Sequence, residues 1–245
     1  MVIVNSTNRP QTNMPNVLIV AQSKVWNPGL ISSLRKALDH EIVEITKPEQ
    51  LNFKFLSKLN PKFLFFPHWS SKITHDIFEN FECIIFHMTD LPFGRGGSPL
   101  QNLIVRGFNE TKISAIKCVA ELDAGPIYMK RSLTLDGTAQ QIFVRASQII
   151  EEMIVEIVKD TPKPTEQYGE AVTFKRRSHS ESEINSPKSA AEVYDFIQML
   201  DCDGYPHAYI NAGKFKVEFR NARLLNGRLL VDSYFIENDS ESRRT

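Results

Sequence analysis

Four short, nearly uninterrupted apolar runs recur in the first ninety residues: Val17-Leu-Ile-Val-Ala21, Ile42-Val43-Glu44-Ile45, Lys62-Phe-Leu-Phe-Phe-Pro67 and Cys83-Ile-Ile-Phe-His87. Runs this short and this apolar suit strands covered on both faces. Between them the pattern turns helical. Asn27-Pro28-Gly29 breaks the chain, and Leu30, Leu34 and Leu38 follow at helical spacing, which predicts a helix over about 29–39. Strands alternating with helices predict an α/β fold, a mostly parallel twisted sheet with flanking crossover helices.

Composition narrows the class. Of the 245 residues 42% are hydrophobic and 24% charged, which excludes a disordered chain, a coiled coil and a small disulfide scaffold. The 29 basic side chains meet 29 acidic ones, and the balance is level on either side of residue 160. Non-specific binding to nucleic acid or to an anionic membrane needs a basic excess that is absent here, so no nucleic-acid partner is expected. Cys83, Cys118 and Cys202 are odd in number and form no Cys-x-x-Cys pair, so no metal site is predicted and reduced cysteines in a cytoplasmic protein are expected. No apolar run reaches the roughly 18–20 residues of a membrane span. The opening MVIVNSTNRPQTNMPN does not have the build of a signal peptide and reads as a polar lead-in to the first strand.

Further along, Thr111–Val119 alternates like a strand. A helix is predicted over about 138–159, opened by the capping box Thr138-Ala-Gln-Gln141 and carrying Ile142, Ala146, Ile149, Ile150, Met153 and Ile157 on one face. Pro162-Lys163-Pro164 ends this unit, and the polar, Ser-rich stretch after it reads as a linker or extended surface segment. Ser189-Ala-Ala-Glu192 opens another helix through Leu200. Lys214–Phe219 alternates strictly, and Asn226-Gly227 between two leucine pairs is a two-residue hairpin signal. Glu237–Thr245 reads as a frayed tail. The expected organisation is an α/β unit over 1–160, a linker over 161–188 and a small C-terminal unit of one helix plus antiparallel strands over 189–245. That last unit could support a homodimer.

The chemistry is concentrated in Ile85-Phe-His-Met-Thr-Asp-Leu-Pro-Phe-Gly-Arg-Gly-Gly-Ser-Pro99. A strand ends at His87, and ligands of open α/β sheets bind at the carboxyl ends of strands. Ser98-Pro99 predicts a helix start with Ser98 as N-cap, and free N–H groups of the loop could meet a polar ligand. Neither a phosphate-binding Gly-Lys-Ser/Thr nor a dinucleotide Gly-x-Gly-x-x-Gly is present. A second loop, Glu121-Leu-Asp-Ala-Gly-Pro126, ends the next predicted strand. Were the two strands parallel neighbours, His87 and Asp123 would share one sheet edge, a pairing suited to general acid–base work.

These residues resemble the signature of the N10-formyltetrahydrofolate-dependent formyltransferases, Asn-x-His-x-Ser-Leu-Leu-Pro, an Arg-Gly turn, a Pro and a later Leu-Asp-Ala-Gly. The matches are His87, Leu91-Pro92, Arg95-Gly96, Pro99 and Leu122-Asp123-Ala124-Gly125. The resemblance is good over about 60–160. Past the linker, Thr173-Phe-Lys-Arg-Arg177, Tyr194–Leu200 and Tyr205-Pro206 resemble the sugar N-formyltransferases. It implies a Rossmann-like core and formyl transfer from N10-formyltetrahydrofolate to the amine of a nucleotide-linked amino sugar, methionyl-tRNA or another small amine being the alternative. His87 and Asp123 would be catalytic. The folate would lie against Pro67, His68, Trp69, Ser70 and Ser71, Leu91 and Pro92, and Val119, Ala120, Glu121, Leu122 and Asp123. The acceptor would meet Asp90, Gly94, Arg95, Gly96, Gly97, Asn102, Lys175, Arg176 and Arg177. Trp69 would stack on the folate or simply cover the core edge; Asp90 would touch the acceptor or stay solvated; Lys175-Arg176-Arg177 would hold a phosphate or form a solvated strand edge.

One departure stands out. Ile85 occupies the place of the family asparagine, whose amide in the family stabilises the tetrahedral oxyanion. Either another group replaces it, with His68, Ser70, Thr89 and Asn102 as candidates, or the loop backbone does, or the protein is an impaired folate- or sugar-binding relative.

Overall fold

The computed structural model describes residues 16–23 and 26–237, so the polar lead-in and the tail from 238 lie outside the described residues. The chain runs β1 (Val17–Ala21), α1 (Leu30–Ala37), β2 (Glu41–Ile45), α2 (Phe53–Leu59), β3 (Phe63–Phe66), α3 (His75–Phe78), β4 (Cys83–His87), β5 (Phe93–Gly96) and α4 (Pro99–Ile104). It continues through β6 (Glu110–Lys117), β7 (Ile127–Thr134), α5 (Ala139–Asp160), β8 (Val172–Phe174), α6 (Ala190–Gln198), β9 (Ala208–Ala212), β10 (Phe215–Leu225) and β11 (Arg228–Glu237).

The main sheet has the order β2-β1-β3-β4-β6-β7. Its first four strands are parallel, and their alternate side chains feed two cores. Leu18, Val20, Phe63, Phe65 and Ile84 face one core, together with the buried stripe of α5. Ile19, Ala21, Leu64, Phe66 and Cys83 face the other, beneath α2 and α3. Helix α5 begins as its sequence dictates: the Thr138 hydroxyl accepts from Gln141 N at 3.2 Å and the Gln141 side chain accepts from Thr138 N at 3.0 Å.

The parallel expectation fails at the strand after β4. Strand β6 runs antiparallel to it, pairing His87 with Ser114 and Ile84 with Lys117, and β7 turns back antiparallel in its turn. No crossover helix of adequate length lies between β4 and β6, only β5 and the short α4, so the chain returns in the opposite sense.

The segment read as a linker lies against the α/β unit. Thr165 and Ile127 exchange two backbone hydrogen bonds at 2.7 and 2.9 Å, and β8 pairs parallel with β5. In the C-terminal unit, the sheet β11-β10-β9 is covered by α6. Asn226 and Gly227 take φ of 49° and 71°, as the hairpin between β10 and β11 requires. Gln101 Nε2 donates to Met199 O at 3.1 Å, joining the two units.

Candidate active site

His87 is the last residue of β4 and shares with Ile85 and Cys83 the sheet face covered by α2 and α3. Because β6 is antiparallel, it ends at the far end of β4, away from His87. The loop 118–126 therefore folds back across this face, starting from Cys118 N on Cys83 O at 2.8 Å. It delivers Asp123 to within 3.5 Å of His87, Nδ1 to Oδ2, with both residues 8% exposed. The structure thus brings the two together by a route other than parallel neighbours.

His87 Nε2 lies 2.7 Å from Gly94 O. A carbonyl only accepts, so Nε2 carries a proton and Nδ1, facing Asp123, is the nitrogen left to gain or lose one. Asp123 Oδ2 also accepts from Gly96 N at 2.9 Å. The carboxylate is thus anchored to the glycine-rich turn beside the imidazole, which that turn holds through Gly94 O.

That turn is pressed against β8. A Cβ on Gly96 would stand 2.4 Å from Phe174 O, and one on Gly97 would stand 2.4 Å from Arg176 Cβ. The glycines therefore have a packing reason that is independent of any ligand. Two N–H groups of the turn are not open to a ligand: Gly96 N serves Asp123, and Gly97 N donates to Phe174 O at 3.1 Å. Ser98 precedes α4 but does not cap it; its backbone is left-handed at φ 49°, and its hydroxyl accepts from Arg177 N at 3.1 Å. Asn102 is nearly buried and donates to Gly97 O, Ser98 O and Lys175 O at 3.0–3.1 Å. It ties the turn, α4 and the basic segment together. Lys175 and Arg176 are exposed beside this turn, while Arg177 lies over the Phe196 ring at 5.7 Å and bonds Glu181 O.

Other expected site residues are placed as follows. Arg95 is committed to Glu121 at 2.9 Å and to Gln167. Asp90 is held by Lys112 and Lys130. Partial burial would raise its carboxyl, but the hydrogen bonds and charges of the two lysines outweigh that and keep it below the usual carboxylate range. Leu91 and Pro92, joined by a cis peptide bond, are buried. Glu121 and Leu122 are exposed, as is Ala120, with Val119 half-buried.

At the end of β3, Pro67 is buried, and Trp69 packs edge-on to Phe66 with its Nε1 buried and unpartnered among the described residues. Ser71 is half-buried. Of the four groups considered as replacements for the amide at position 85, each is engaged elsewhere. His68 points away from His87 into the Trp26–Phe143 cluster, with Nε2 2.7 Å from Ser147 Oγ. Ser70 bonds Ser23. Thr89 is fully buried and donates to Gly94 O, and Asn102 is saturated as described. Gln167, which the residue patterns give no reason to select, bridges Arg95 and the Asp123 loop.

Fold and loop arrangement place the chain in a known class: it belongs to the formyltransferase family. A solved methionyl-tRNA formyltransferase from Clostridium thermocellum is 47% identical, with a TM-score of 0.88 and coverage of 91% of this chain and 99% of that one. Residues 179–234 match the family model described as the methionyl-tRNA formyltransferase C-terminal domain. A Mesoplasma florum methionyl-tRNA formyltransferase is 27% identical over 66% of this chain and 53% of its own length, so the chain spans about half of that curated relative. A Shewanella sugar N-formyltransferase shares the fold at 14% identity, TM-score 0.58, covering 91% of this chain and 98% of that one. Among the described residues no helix is long and apolar enough to cross a membrane, and no cluster of three metal-ligating side chains occurs.

Proposed function

We propose that this protein transfers the formyl group of N10-formyltetrahydrofolate to a primary amine, and that the amine is the amino group of methionyl-tRNA. The observation that carries the transfer reading is the buried His87–Asp123 pair at the end of β4. An amine attacks a formyl carbon only when neutral, and the tetrahedral adduct must then lose a proton from the attacking nitrogen while the bond to N10 breaks and N10 gains one. His87 Nδ1 is the atom that takes the first proton, since Nε2–H is held by Gly94 O. Gly94 O keeps the ring oriented, and Asp123, 3.5 Å from Nδ1, is the acceptor that Nδ1–H meets once the proton has been taken. The same proton returns to N10 as its bond to carbon breaks.

The folate donor is a substrate here, and the residues fit one. Trp69, Ile85 and Cys118 pack against the core of the sheet face that carries His87. Trp69 Nε1 is a buried donor with no partner among the described residues, as expected beside a flat heteroaromatic ring with acceptor atoms. The exposed Lys175 and Arg176 beside the Gly97 turn would hold a phosphate of the acceptor.

Methionyl-tRNA is preferred as acceptor because the 47% identical protein and the C-terminal family model both carry that description. A nucleotide-linked amino sugar is the second reading. It is favoured by the level charge of 29 against 29 and by the fold shared end to end with a sugar N-formyltransferase. The test is transfer of a labelled formyl group from N10-formyltetrahydrofolate to initiator methionyl-tRNA and, separately, to a panel of nucleotide-linked amino sugars. Product with the tRNA supports the first acceptor, and product with a sugar alone replaces it by the second. His87→Ala is expected to lose about 10²–10⁴-fold in rate, the usual contribution of a general acid–base group. Retention of more than about a tenth of the activity would sink the assignment of His87.

A further inference from the structure

We infer that Gln167 is a positioning residue for the reaction, acting through the main chain of the Asp123 loop; this deepens, and rests on, the formyl-transfer reading. Asp123 is held in the left-handed region at φ 53°, a conformation unfavourable for a residue with a Cβ. Something must hold it there. The carboxylate is occupied with His87 and Gly96 N, so the restraint comes from the backbone side. Gln167 Nε2 donates to Asp123 O at 2.8 Å and to Gly125 O at 2.9 Å, taking both carbonyls that flank Ala124. Its Oε1 accepts from Arg95 Nε at 3.2 Å and from a terminal Arg95 nitrogen at 2.9 Å. Arg95 in turn pairs with Glu121 at the start of the same loop.

One planar amide thus joins the loop that carries Asp123 to the strand that begins the Gly94–Gly97 turn. Those are the two pieces of chain that touch His87, one through Oδ2 of Asp123 and the other through Gly94 O. The amide is itself well anchored. Two residues before it Thr165 makes a backbone bridge to Ile127, and five residues after it Val172 N donates to Pro92 O at 3.2 Å. Carboxamide chemistry is required: two donors meet two carbonyls while an acceptor meets a guanidinium, and neither glutamate nor methionine supplies both. A shift of about 1 Å in a catalytic group commonly costs about 10²-fold, so loss of this amide acts on turnover more than on binding.

The test compares Gln167→Glu and Gln167→Met with the full-length wild-type chain. Glutamate keeps an oxygen for Arg95 but loses the donors to Asp123 O and Gly125 O; methionine loses both. Both variants are expected to lower kcat by about 10–100-fold while KM for donor and acceptor stays within about threefold and the melting temperature stays near wild type. Wild-type kcat per folded molecule in either variant, or a loss that tracks unfolding, overturns the inference. A readout without turnover separates it from the reading it rests on. Amide hydrogen exchange over 121–125 should quicken in both variants even if no tested amine is formylated. Unchanged exchange there overturns the positioning role, whereas inactivity of the wild-type chain toward every acceptor counts against formyl transfer alone.

Discussion

At the scale of single residues the sharpest question is position 85. Ile85 lies two residues before His87 on the same strand and hence on the same face, half-buried against the core that α2 and α3 cover. The family asparagine would place an amide there. The four side chains that could have taken over its role are each bonded elsewhere, so in the proposed reaction none of them replaces that donor. Removing one such donor typically lowers the rate by about 10²–10³-fold. Ile85→Asn is therefore expected to raise kcat by at least about tenfold with little change in KM, measured with the acceptor the wild type accepts. A variant no faster than wild type would mean that a backbone group or the substrate itself already supplies the stabilisation. His87, Asp123 and Ile85 stand out in the sequence because of its resemblance to the formyltransferase signature. Gln167 is not, because nothing local distinguishes a glutamine that bridges two loops from one in solvent; only the fold brings Arg95 and Asp123 to it.

At the scale of elements, what the residues reveal depends on whether the determining rule is local. Helix α5 is legible from its capping box and its stripe, and the β10–β11 hairpin from Asn226-Gly227, since both rules act within a few residues. The sense of β6 is not, since direction in a sheet depends on what connects the strands. The β5–β8 pair joins residues about eighty positions apart and leaves only close-approach glycines as a trace. Where the end of β3 meets α5, His68 gives a further prediction. Its imidazole is bonded to Ser147 and enclosed by Trp26 and Phe143, and burial lowers its pKa to about 4 from an ordinary 6.5. The folded state resists protonation more than the unfolded state does. The stabilisation from keeping the ring neutral is therefore complete above about pH 6.5 and is lost as pH falls toward 4, about 3 kcal/mol at most. Urea unfolding of wild type and His68→Gln at pH 7.5 and pH 4.5 should show a smaller acid loss in the variant. Equal losses would remove His68 as a source of acid sensitivity.

At the scale of the whole molecule the balance of 29 basic against 29 acidic side chains sets how an anionic acceptor is held. A tRNA carries many phosphates, yet no overall positive field draws it in, so long-range steering is weak and affinity must come from a few local contacts. The exposed Lys175 and Arg176 are fixed beside the Gly97 turn through Asn102 and β8, whereas Arg95 in that turn is committed to Glu121 and Gln167. Arg177 differs, being committed to Phe196 and Glu181. The double variant Lys175→Ser/Arg176→Ser is expected to raise KM for the acceptor about tenfold and leave KM for the folate donor unchanged, since two phosphate contacts are worth roughly that much at moderate salt. Wild-type KM for the acceptor should climb with salt as those contacts are screened, with a log–log slope of about two, and the double variant should be nearly flat. An equal salt dependence in both proteins would place the acceptor's phosphates elsewhere on the surface. A slope much steeper than two in the wild type would mean that the acceptor spans a larger charged footprint than these two side chains provide.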